Sequence, residues 1–65
     1  MMTKDEIAEI SERARAWALV NAPDQYHYFS TAAWVGSAHN AGIITRDEYD
    51  ALRADYGESF WYTGD

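Results

Sequence analysis

The 65 residues carry a formal net charge of -6, no cysteine, and three Trp, five Tyr and two Phe. Disulfides and thiolate metal sites are excluded, and a chain this short buries only about 60% of the surface it exposes when unfolded, so its stability must come from good helix packing or from association. The acidic balance opposes direct contact with DNA or RNA, whose phosphates require a basic surface, and favours a protein partner with a basic surface.

The first element opens at Thr3. With Glu6 three residues on, it forms the pattern of a capping box, flanked by Met2 and Ile7 as a hydrophobic staple. A helix is predicted from about Lys4 to Val20, with Ile7, Ile10, Ala14, Trp17 and Asn21 along one face at helical spacing. Asp5, Glu9 and Glu12 lie on another side, with Arg13 and Arg15 placed to pair with Glu9 and Glu12. Asn21-Ala22-Pro23-Asp24 stops this helix, and Asp24 is the expected cap of the next.

A second helix is predicted over about Gln25 to Ala41. Phe29, Ala32, Ala33, Gly36 and Asn40 make its expected packing face, widened by Tyr28, Val35 and Ala38, with the small residues allowing close approach at the centre of the bundle. Gly42 suits a left-handed turn after it. Thr45 and Glu48 repeat the capping box, with Ile44 and Tyr49 as staple. The third helix runs from Arg46 to about Tyr56 with Tyr49, Leu52 and Tyr56 buried; Gly57 ends it, or it continues weakly into Phe60-Trp61-Tyr62. The expected fold is all-α, a single domain over residues 1–65 built as a bundle of three short helices with an aromatic C-terminal segment.

Little in this chain points to catalysis. His27 and His39 are twelve residues apart, which rotates them by about 120° on one helix, and only Asp24 precedes His27 at ligand spacing. Ser30, Ser37 and Ser59 sit in no nucleophile turn, and the four glycines are too dispersed for a phosphate loop. No metal, cofactor or enzymatic activity is expected. Ala38 to Ile43 invites a helix-turn-helix reading, but the recognition helix would aim Asp47, Glu48 and Asp50 at phosphates, so an ordinary helix corner is the simpler account.

The carboxylates offer a different role. Asp5, Glu9 and Glu12 follow i, i+4, i+7; Asp47, Asp50 and Glu58 share a side if the third helix continues, and Glu48 and Asp55 stand seven apart. Such neighbours lie about 5–6 Å apart at Cβ, so an acidic helix face can imitate a row of phosphates. A purely solubilising surface is the competing reading, and Arg13, Arg15, Arg46 and Arg53 neutralise part of the field. Trp17, Phe29 and Tyr49 have core spacing, but Tyr26, Tyr28, Trp34, Trp61 and Tyr62 cannot all be buried in so small a chain, and exposed rings mark interaction sites. Phe60-Trp61-Tyr62 either folds back as a lid on the core, the simpler expectation, or serves as a binding tail.

The closing stretch Tyr56-Gly57-Glu58-Ser59-Phe60-Trp61-Tyr62-Thr63-Gly64-Asp65 resembles the C-termini of small helical proteins encoded by phages and mobile elements. In size, acidity and lack of cysteine the chain is similar to phage anti-CRISPR proteins. The resemblance implies an inhibitor that binds a CRISPR effector subunit in the bacterial cytoplasm, at a basic surface meant for nucleic acid. The residues expected to meet such a partner are Asp5, Glu9, Glu12, Asp47, Glu48, Asp50, Asp55 and Glu58, with Tyr26, Tyr28, Trp61 and Tyr62 as anchors, in a monomer or small homo-oligomer. No apolar run approaches the roughly 20 residues that span a bilayer, and the charged Met1-Met2-Thr3-Lys4-Asp5-Glu6 is unlike a signal peptide, so a cytoplasmic location without membrane contact is expected. A self-assembling structural protein and an acidic antitoxin are the rival readings.

Overall fold

Thr3 begins α1 (Lys4–Asn21) by accepting the Glu6 N–H at 3.1 Å, while the Glu6 carboxylate accepts the Thr3 N–H at 3.0 Å. The computed structural model describes residues 2–62 of the chain. The reciprocal pair at Thr45 and Glu48, 3.2 and 2.8 Å, begins α4 (Arg46–Tyr56) in the same way. Each box satisfies two backbone groups that a helix end would otherwise leave open.

Between them the chain forms two helices where one continuous helix is predicted. α2 (Pro23–Tyr28) and α3 (Thr31–Asn40) are separated by Phe29 and Ser30, both extended. Tyr26-His27-Tyr28-Phe29 is a run of weak helix formers, and Ser30 is a residue type that favours a helix start over a helix middle. The break is also held from outside: the Thr31 N–H donates to the Tyr62 carbonyl at 3.1 Å. The start of α2 differs too. Ala22 is its N-cap without a side-chain bond and Pro23 occupies the first turn, where its missing N–H costs nothing, so Asp24 is an early helical residue and not the cap.

The corner from α3 to α4 is a Schellman turn. The Ile43 N–H reaches the Ala38 carbonyl at 2.9 Å and the Gly42 N–H reaches His39 at 3.0 Å, with Gly42 at φ 79°. At the far end of α4 the chain passes through Gly57, φ 60°, into a 3-10 helix (Gly57–Trp61).

The core is made by Ile10, Ala14 and Ala18 of α1, Trp34, Val35 and Ala38 of α3, Ile44, Leu52 and Phe60. α3 packs against α1, α2, α4 and the 3-10 helix and so stands at the centre of the bundle, with α1 lying against α2, α3 and α4. On α3 the buried line is Thr31, Trp34, Val35 and Ala38, so Val35 and Ala38 of the expected face are in the core, whereas Ala32, Ala33 and Gly36 are only half-buried and Tyr28 and Asn40 are exposed. Both lines have helical spacing, but burial of the Trp34 and Val35 side chains removes far more apolar area from water. A Cβ added at Gly36 would meet nothing within 4 Å, so no neighbouring helix depends on that glycine. Phe29 is 57% exposed, because the break at Phe29-Ser30 turns it away from the core face that a continuous helix would have given it.

Candidate partner-binding surface

α1 and α4 lie side by side, joined by Arg13. Its guanidinium donates to Glu9 at 3.0 Å, to both Glu48 oxygens at 3.1 and 3.2 Å, and to the Ile43 carbonyl at 3.1 Å. Glu48 is thereby occupied twice, by Arg13 and by its own cap. The Thr45 N–H, and after it Arg13, hold the Glu48 carboxyl below its ordinary range. Its charge is matched within the fold and its side chain is largely covered. Arg15, expected to pair near Glu12, makes no ion pair among the described residues, and its Nε is buried without a bond.

The remaining acidic residues face outward. Asp5, Glu9 and Glu12 are exposed on α1, and Asp47, Asp50 and Asp55 are exposed on α4. Glu9 is shared with Arg13, and Asp50 pairs with Arg46 at 3.2 Å. Asp5, Glu12, Asp47 and Asp55 have no ion-pair partner among the described residues. Glu58 is exposed in the 3-10 helix, beyond the end of α4, so it does not continue the helical line of Asp47 and Asp50. Around Asp47 and Asp55 the two helices leave an open groove of about 450 Å³, lined also by Met2, Ile7, Ala51 and Ala54.

The aromatic residues divide. Trp34 is buried, and Tyr26 packs half-buried on it with ring centroids 5.2 Å apart. Tyr28, Trp61 and Tyr62 are exposed at 74, 58 and 62%. The C-terminal segment is thus both lid and surface: Phe60 is fully buried, edge-on to Tyr49 at 5.8 Å, while the next two rings face outward. Arg53 stands over the Trp61 ring at 5.9 Å. These two line a second open cleft with Asp50, Ala54 and Gly57. Leu19 and Val20 at the end of α1 are exposed as well; in the sequence they stand off the line of Ile7, Ile10 and Ala14, which was the available signal.

His27 lies beside the Tyr26 and Tyr28 rings, and His39 beside Tyr49. Among the described residues no three His, Asp or Glu side chains converge as a metal site would require. No described helix is long and apolar enough to cross a membrane. Compared with protein-family models, characterised proteins and solved structures, the chain shows no significant match.

Proposed function

We propose that this protein is a stoichiometric inhibitor that docks the acidic faces of α1 and α4 onto a basic protein surface, and that its target is a CRISPR effector whose nucleic-acid-binding channel it obstructs. The observation that carries the docking mode is the set of exposed carboxylates at Asp5, Glu12, Asp47 and Asp55, free of internal ion pairs among the described residues and held on two adjacent capped helices. Unpaired charges on rigid elements keep their field for a partner, and such a field steers encounter and sets register. The choice of target rests on the resemblance in size, acidity and terminal pattern described above.

The test is binding to purified CRISPR effectors across a salt series. Affinity is expected to fall steeply as salt rises, target DNA to compete, and joint Asp5→Lys and Glu12→Lys substitution to weaken binding at least tenfold. Affinity indifferent to salt and to those substitutions sinks the docking mode, and absence of binding to any effector sinks the choice of target.

A second reading has its own observation. Tyr28, Phe29, Trp61 and Tyr62 are all more than half exposed, and exposed rings of this kind are also what a self-assembling protein buries. A mass that rises with concentration in sedimentation, abolished by Tyr28→Ser with Tyr62→Ser, would favour assembly over inhibition.

A further inference from the structure

The groove between the start of α1 and the length of α4 has a definite chemical pattern. Its floor is apolar and low, from Met2, Ile7, Ala51 and Ala54, and Asp47 and Asp55 stand on its α4 wall. On α4 these residues fall at i, i+4, i+7 and i+8, one continuous stripe along the helix. At a rise of 1.5 Å per residue the two carboxylates are about 12 Å apart along the axis, with the alanines between them. Neither carboxylate is in an ion pair among the described residues.

We propose that this groove is the seat of a basic amphipathic helix of the partner protein. A helix lying along α4 meets the two carboxylates with cations spaced seven or eight residues apart, and the alanine floor with apolar side chains three and four residues on, which is the spacing of helix-in-groove recognition. Small residues on the floor let the two backbones approach, and Met2 supplies an unbranched side chain that adapts to what sits on it. The charge pattern selects among occupants. Nucleic acid and anionic headgroups are repelled by Asp47 and Asp55. A second copy of this chain offers Arg46 and Arg53 seven residues apart, but Asp50 lies between them, paired with Arg46, where the floor requires an apolar group. The proposal rests on the acidic-docking reading and specifies the element that reading leaves open.

The experiment titrates the isotope-labelled full chain with a capped synthetic helix carrying Lys at i, i+7 and i+14 and Leu at the intervening i+3, i+4, i+10 and i+11. A control peptide of identical composition has each Lys moved two positions along. Amide shifts are expected to cluster at Met2, Ile7, Ala51 and Ala54 for the first peptide, with the control binding at least tenfold more weakly. Asp47→Asn with Asp55→Asn is expected to reduce affinity about tenfold. Ala54→Trp, an exposed position, fills the groove and abolishes binding with the helical circular dichroism retained; should that variant unfold, the Asn pair decides alone. Equal binding of the two peptides, shifts centred on Trp61 and Tyr62, or affinity unchanged in the Asn pair overturns the assignment. If the peptide fails while Asp5→Lys with Glu12→Lys still weakens effector binding, the groove assignment falls by itself; if both fail, the acidic-docking reading falls with it.

Discussion

Arg13 is the side chain on which α1 and α4 agree. It reaches Glu9 on its own helix, Glu48 on the facing one and the Ile43 carbonyl in the corner between α3 and α4. Bonds between ionised groups are stronger than neutral ones, and here they also anchor the Glu48 cap. Glu48→Gln keeps a capping-box partner but removes the charge that Arg13 holds, and it is expected to cost about 1 kcal/mol at neutral pH. In a domain of this size that is a drop of roughly 4–8 °C in thermal midpoint. The pH dependence has a sign. Because the folded protein holds the Glu48 carboxyl below its ordinary value, its contribution is complete above about 4.3, the unperturbed glutamate value, and is lost as pH falls through the lower folded value. The stability gap between the native chain and Glu48→Gln should therefore close on acidification, as read by denaturant midpoints from neutral pH downward; a gap independent of pH would assign the loss to packing.

Among the elements, those with paired local signals were legible in the sequence and those governed by tertiary partners were not. Thr3 with Glu6 and Thr45 with Glu48 fixed the starts of α1 and α4, and both helices end within a residue of expectation. The division of α2 from α3 was hidden, since the hydrogen bond that supports it comes from Tyr62, more than thirty residues away. The packing face of α3 was legible in part: Val35 and Ala38 are buried as expected, but the centre of the face is Trp34, with more area to bury than the stripe of Ala32, Ala33 and Gly36. For the candidate surface, the exposed carboxylates followed from helix periodicity. Glu48 did not, because its partner Arg13 lies on another helix. Glycines provide a test at this scale. Gly36→Ala, inside α3 with open space around the new Cβ, is expected to raise stability by about 0.5–1 kcal/mol. Gly57→Ala has equal space but must adopt φ 60°, ψ -133°, and is expected to lower stability by about 1–3 kcal/mol. Thermal midpoints moving in the same direction for the two variants would contradict the backbone account.

For the whole molecule, a single ring closes the structure. Phe60 is fully buried among Leu52, Val35 and the alanines of α1 and α3, and it arrives from a short 3-10 helix rather than from one of the four main helices. Phe60→Ala should cost about 3–5 kcal/mol, a large share of the 5–15 kcal/mol that typically separates folded from unfolded protein. The expected outcome is loss of the cooperative thermal transition by circular dichroism, while Trp61→Ala, whose ring is 58% exposed, leaves it in place. The placement of Phe60 also bears on how the core is closed. α1 to α4 all precede position 60 in the chain, and together they leave a vacancy in the core that this later residue fills. Completion of the core is thereby tied to the docking of the 3-10 helix against α3 and α4. A chain whose 3-10 helix is undocked exposes the apolar side chains of Leu52 and Val35, and sensitivity to proteases becomes a direct reading of how firmly that one ring is seated.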